Sequence, residues 1–210
     1  MKIRNVVISG IAILAFSGGC AMCKNNYSSE VEKLGLRLNE TQDMLMRPQK
    51  PFPNDLVIPD GVQFINKEVF RSFPKLESVV MPDSVIQIGD YVFSGSRKLR
   101  KVKMSSSLKH TGNFTFLGCG ALEEVILPPG LEKIGYSAFE NCVSLKKITI
   151  PETVTVIDDY AFANCTALES IVIPESVTYI AYRAFKGCSN LKDVKILNKN
   201  VVLGLEVFDK

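Results

Sequence analysis

The sequence predicts an α/β-type repeat solenoid with a parallel β-sheet, short second strands and short helical turns, because three residue ladders run through it in one phase. Leu76, Leu99, Leu122, Leu145, Leu168 and Leu191 stand 23 residues apart. The same step separates Phe70, Phe93, Phe116, Phe139, Phe162, Phe185 and Phe208, and again Cys119, Cys142, Cys165 and Cys188. A unit of that size buries little alone, so neighbours must share one continuous core.

Taken in order, residues 1–19 read as a signal peptide. Lys2 and Arg4 give a basic start, an apolar run extends from Val6 to Phe16, and Ser17, Gly18 and Gly19 precede Cys20. The run is about half the ~20 residues of a membrane-spanning helix. Ser17-Gly18-Gly19-Cys20 resembles the lipobox of bacterial lipoproteins, which implies lipidation of Cys20 and attachment to the membrane through that lipid anchor only. Ordinary cleavage nearby would instead give a secreted protein. Both routes export the chain to the cell envelope or beyond.

Residues 20–52 read as a tether and an N-terminal capping helix. Ser29-Glu30-Val31-Glu32 has the S-x-x-E form that opens a helix. Val31, Leu34, Leu38 and Leu45 then make one apolar stripe, placing the helix over 29–46. Pro48, Pro51 and Pro53 end it as an extended spacer, since proline fixes φ and lacks an amide donor. Two uses fit the stripe: shielding the end of a repeat stack, or pairing with another chain.

Residues 53–210 hold seven repeats. In the clearest, Leu145-Lys146-Lys147-Ile148-Thr149-Ile150 alternates inward apolar with outward polar residues, as a half-buried strand does. Its equivalents predict one continuous sheet from Leu76 to Leu191. Pro59, Pro82, Pro128, Pro151 and Pro174 end that strand at one fixed place. A second extended stretch carries Val62, Val85, Leu108, Leu131, Val154 and Val177 inward, with Ile65, Ile88, Ile134, Ile157 and Ile180 three residues later. An Ala-Phe turn of helix and a polar corner close the unit.

The pattern LxxIxIPxxVxxIxxxAFxxCxx resembles the BspA-like leucine-rich repeat, a class of bacterial surface and secreted proteins. The resemblance implies a leucine-rich-repeat solenoid with a binding or adhesive role and no reaction. It implies a protein or glycoprotein ligand, host extracellular matrix included. Residues 99–121 depart most, with Ser105-Ser106-Ser107 at the proline turn, Thr111 for Ile and Thr115 for Ala. Drift in a tolerant repeat and a deliberate recognition spot both fit. The last copy has Leu197 for its proline, which predicts a frayed or self-capping turn.

Composition narrows the function. With 46% hydrophobic and 22% charged residues the chain is globular rather than disordered. Its net charge of +3 falls to +1 without Lys2 and Arg4, too weak for an electrostatic nucleic-acid binder. One histidine, His110, and no GxxxxGKS/T or GxGxxG loop leave no expected metal, cofactor or catalytic residues, so an enzyme is not expected. The Cys position holds Phe73 and Ser96 in earlier copies, which marks a packing slot for buried thiols rather than a disulfide or metal ladder.

Outward strand positions are left for binding. One row is Asp55, Ser78, Lys101, Glu124, Lys147, Ser170 and Asp193; the next is Val57, Val80, Lys103, Ile126, Thr149, Val172 and Lys195. Exposed Val and Ile fit either strand propensity or an apolar groove that a partner covers. The candidate ligand-binding residues are Lys101, Lys103, Glu124, Ile126, Lys147, Thr149 and Val172. Tyr91, Phe114, Tyr136, Tyr160, Tyr179 and Tyr182 add aromatic groups of the kind favoured in interfaces. The alternative to a binding module is a structural envelope scaffold, in which the solenoid and helix 29–46 organise other surface proteins.

Overall fold

Inward Leu, Val, Ile and Phe at fixed phase force each repeat to coil once around a shared interior, and the computed structural model is a parallel solenoid of about seven turns. It describes residues 5–8, 11–14, 32–41, 43–48 and 53–208. Asn5–Ile8 (β1) and Ile11–Leu14 (β2) pair antiparallel. Cys20 and residues 49–52 of the proline spacer lie outside the described residues.

Of the expected helix over 29–46, residues 29–31 and 42 lie outside the described residues, 32–33 are helical, and two strands take the place of the rest. Arg37–Leu38 (β3) pairs antiparallel with Met44–Met46 (β4), and β4 runs parallel to Phe64–Ile65 of the first repeat. The cause is local. The Asn39 side-chain oxygen accepts the amides of Asp43 and Met44 at 3.1 Å each, and its nitrogen donates to Thr41 Oγ1 and Asp43 Oδ1. Such side-chain bonds offer the backbone an alternative to helix. Leu36 and Leu45 are buried, while Leu34 and Leu38 pack against the same core.

Two strands recur in most repeats. They are Asp55–Val57 (β5) and Phe64–Ile65 (β6), Ser78–Val80 (β7) and Gln87–Ile88 (β8), Lys101–Lys103 (β9), and Glu124–Ile126 (β10) with Lys133–Ile134 (β11). Beyond these come Val156–Ile157 (β12), Ser170–Ile173 (β13), Tyr179–Ile180 (β14), Asp193–Ile196 (β15) and Val202–Leu203 (β16). The first-position strands stack in the order β5, β7, β9, β10, and separately β13, β15. The shorter second strands stack as β3, β4, β6, β8 and as β11, β12, β14, β16.

Neither ladder is continuous, which corrects the expectation of one sheet from Leu76 to Leu191. On the first face, residues 145–150 form no strand between β10 and β13, although Leu145, Ile148 and Ile150 stay buried. Parallel strands twist relative to one another, so long flat sheets are unusual; across this step the second-face ladder β11–β12–β14 and the Phe-segment bonds keep the register. On the second face the break falls at the divergent repeat, where only His110 bridges to Lys133. There the buried Thr111 hydroxyl accepts the Gly135 amide at 2.9 Å and donates to the Gly112 carbonyl at 3.0 Å. A hydroxyl replaces the aliphatic side chain, and its bonds redirect the local backbone.

The Ala-Phe segment is not a helix turn either. Its Phe amides bond to the next repeat, Phe70 to Val92, Phe93 to Thr115, Phe116 to Ala138, Phe139 to Ala161, Phe162 to Ala184 and Phe185 to Val207, all at 2.8–2.9 Å, while the Ala138, Ala161 and Ala184 amides close turns onto Gly135, Asp158 and Ala181 of their own repeat. Two left-handed residues per repeat permit this, for example Tyr160 (φ 56°) and Asn164 (φ 58°). Gly187 occupies the second of these positions at φ +78°, where an added Cβ would lie 2.1 Å from Asn164 Oδ1. Inside, the Phe rings form a single column with centroids 5.1–5.5 Å apart. The last copy extends this column through Phe208 and keeps both strands, β15 and β16.

Candidate functional site

The period of 23 that aligns the core also aligns the outward rows. Glu124 sits directly opposite Lys101 and Ile126 opposite Lys103 on adjacent parallel strands β10 and β9. Lys101 Nζ lies 3.4 Å from Glu124 Oε2, with both side chains nearly half exposed. Ile126 is 42% exposed, so this patch is an apolar side chain beside Lys103 and rimmed by an ion pair. Exposed pairs of this kind are worth only ~0–1 kcal/mol, so this one tunes charge more than stability. It also makes the patch less basic than the sequence row suggests.

Of the remaining expected residues, Lys147 and Thr149 are exposed but lie in the strandless stretch between the two sheets. Val172 is 51% exposed on β13, on the far side of that interruption. The structure thus brings together Lys101, Lys103, Glu124 and Ile126 and leaves the other three off their ladder. In the neighbouring charge row, Arg100 Nη2 lies 3.4 Å from Glu123 Oε1.

His110 is exposed. The four laddered cysteines are buried, and each thiol donates to the carbonyl of the Phe 26 residues earlier, at 3.1–3.2 Å. Among the described residues no group of three or more His, Cys, Asp or Glu is placed to hold a metal ion, and no helix is long and apolar enough to cross a membrane.

One surface feature was only partly legible in the sequence. Tyr91, Phe114, Tyr136, Tyr160 and Tyr182 line up on the turn face, with successive centroids 4.3, 4.9, 5.9 and 5.3 Å apart. Tyr179 lies elsewhere, on β14. Arg71 lies over the Tyr91 ring at 5.1 Å and Arg183 over the Tyr182 ring at 4.6 Å. Spacings of 22, 23 and 24 residues between these rings hide the strip from a search at constant period.

The repeat geometry agrees with a family match. The model of the BspA-type leucine-rich repeat region matches residues 52–169 and 105–210, in six copies. The chain belongs to the BspA-type leucine-rich repeat family. A crystal structure of a leucine-rich repeat protein from T. pallidum is 29% identical, with a TM-score of 0.76, over 83% of this chain and 85% of that one. A leucine-rich cell surface protein from Faecalibacterium prausnitzii is 34% identical over 77% of this chain and 37% of its own length, with a TM-score of 0.54. A leucine-rich repeat protein from Bacteroides ovatus is 28% identical over 82% and 54%, with a TM-score of 0.64. No match was found among curated proteins. Within this BspA-type chain, the family pattern accounts for the inward ladders and leaves the outward residues unconstrained.

Proposed function

We propose that this BspA-type protein is a non-enzymatic binding module at the bacterial cell surface, taking a protein or glycoprotein ligand on its first sheet face. The observation that carries the reading is the juxtaposition of exposed Ile126 with Lys103, beside the Lys101–Glu124 pair. An apolar side chain rimmed by charge suits a desolvated anchor in an interface. The cell-surface description of the F. prausnitzii relative supports the location. Cys20 would tether the protein by a lipid.

The test is binding to immobilised extracellular-matrix glycoproteins. Ile126→Asp and Lys103→Glu should each weaken binding about tenfold or more, whereas Lys98→Glu, at an exposed corner, should not. Equal affinity for all three variants, with folding intact, would place the site elsewhere. Metabolic labelling with a fatty-acid analogue tests the anchor: wild type should label and Cys20→Ala should not. The alternative is an envelope scaffold, in which strands 37–38 and 44–46, paired to the first repeat, would take the part of the expected helix in organising other surface proteins.

A further inference from the structure

The aromatic strip on the turn face is not a by-product of repetition. Tyr91, Phe114 and Tyr160 occupy one repeat position and Ser137 and Arg183 interrupt it, yet Tyr136 and Tyr182, one residue earlier, put a ring back into line at both interruptions. The backbone beneath them makes a bond that recurs in the solenoid, as from the Asn113 amide to Asp90 Oδ1 at 3.0 Å. The Tyr136 amide donates to Asn113 Oδ1 at 3.1 Å and the Tyr182 amide to Asp159 Oδ1 at 2.9 Å, each acceptor coming from the preceding repeat. Tyr91, Phe114 and Tyr160 stand at φ 58°, 55° and 56°. Bulky residues are uncommon in that left-handed region; the repeat enforces it here, since Glu68, Ser137, Arg183 and Glu206 share it at the same position. All five residues are half-buried.

Charge and hydrogen bonding define what would fit. Arg71 is paired with Glu68 at 2.7 Å, and Arg183 and Lys186 share the one carboxylate of Glu206, so the cations at both ends of the strip already have an acidic partner. The amides of Tyr91, Phe114 and Tyr160 are committed to the next repeat, which rules out strand addition by a peptide along this line. Spacing argues the same way. A β-strand presents one face every ~6.6 Å and a polyproline helix every ~9 Å, and neither meets a ring at each step of 4.3–5.9 Å. Pyranose units of an extended β-linked glycan advance by about one such step. Their C–H faces pack on aromatic rings, and their hydroxyls can bond to the tyrosine hydroxyls.

We infer that the strip from Tyr91 to Tyr182 is a binding site for a neutral, extended hexose chain, separate from the sheet-face patch. The Tyr136, Tyr160 and Tyr182 end should dominate. There the rings cross at 63° and 89° and do not lie flat on one another, with Arg183 over one face of Tyr182, whereas Tyr91 and Phe114 lie parallel at 5° and cover one another.

The test titrates the full chain with cellohexaose, with glucose and with a decaproline peptide, following ring resonances by NMR. Cellohexaose should bind saturably and glucose should not. Tyr160→Ala should raise the dissociation constant about tenfold, Tyr160→Phe by less than about threefold, and Ile126→Asp should leave it unchanged. Circular dichroism melts establish that each variant is folded. Absence of saturable hexaose binding, binding indifferent to Tyr160→Ala, or ring-dependent binding of decaproline alone would each overturn the proposal. Because Ile126→Asp reads only the sheet face, failure of one site is distinguishable from failure of the other.

Discussion

The Ser96 hydroxyl donates a 2.7 Å hydrogen bond to the carbonyl oxygen of Phe70, 26 residues earlier, in the same way that the cysteine thiols of later repeats do. After the first repeat, where Phe73 stands, the slot therefore holds a small side chain with one donor, and sulfur chemistry is not what it selects. Cys165→Ser should change stability by less than about 1 kcal/mol. Cys165→Ala removes the donor and leaves a void, and should cost roughly 1–3 kcal/mol. Urea denaturation of the two variants gives the order, and a Ser variant less stable than the Ala variant would refute the donor requirement.

Burial governs these thiols in a second respect. Desolvation pushes the Cys119 thiol up to about 12, only partly opposed by a hydrogen bond from the Ser96 backbone, and drives Cys142 and Cys165 upward from their ordinary 9.0 as well. A pKa raised in the folded state means stability that is full below the unfolded value and lost as pH rises through the folded one. The solenoid should therefore weaken progressively above pH 9. Alkylation by iodoacetamide at pH 8 should follow unfolding, so rapid labelling of all four thiols in native buffer would contradict their placement.

The Phe column makes the strongest single demand on the core. Phe162 is fully buried, 5.2 Å from Phe139 and 5.1 Å from Phe185, with interplanar angles of 3° and 7°. Phe162→Ala should cost about 3–5 kcal/mol through the cavity it leaves. A loss below about 0.5 kcal/mol in denaturant melts would be incompatible with this register.

At the other end of the pH scale, Glu206 is held down to about 2 from its ordinary 4.5, first by its hydrogen bond with Arg183 and then by Lys186. Its folded value is depressed, so its contribution is present above pH 4.5 and disappears as pH falls toward 2. Glu206→Gln should flatten that part of the stability profile, measured by thermal melts across the window. The group is exposed, so salt should shrink the effect.

These outcomes also mark what the sequence could disclose. A constant period identifies which side chains face inward whatever backbone carries them, so the burial of Leu145, Phe162 and Cys165, and the alignment of Lys101 with Glu124, could be read directly. Backbone conformation was less legible. The Ala-Phe spacing suits a helical turn as well as an inter-repeat ladder, and Glu68, Tyr91 and Phe114 are not residue types that announce a positive φ. Only Gly95, Gly118, Asn141, Asn164 and Gly187, four residues after one such position, carried that signal. In the cap, helical spacing of Leu34, Leu38 and Leu45 was outweighed by the bonds of one side chain, Asn39.

The divergent repeat gives the last test. Ser105 stands where five other repeats have proline, yet its carbonyl accepts the Leu108 amide as the Pro82 and Pro128 carbonyls accept those of Val85 and Leu131. The turn is the same, held by different chemistry. The buried Ser105 hydroxyl donates to the Val85 carbonyl at 2.6 Å, and Asp83 accepts both the amide and the hydroxyl of Ser106, which holds its carboxyl below the usual range. Proline would forfeit the Ser105 bond, worth about 1 kcal/mol, but would restrict the unfolded chain by about 0.4–1 kcal/mol. Ser105→Pro should therefore be nearly neutral, while Ser105→Ala loses the bond without that compensation and should be the less stable of the two. If urea melts place Ser105→Pro well below Ser105→Ala, the backbone at this turn differs from that of its proline-bearing neighbours, and the divergence is more than an exchange of one turn chemistry for another.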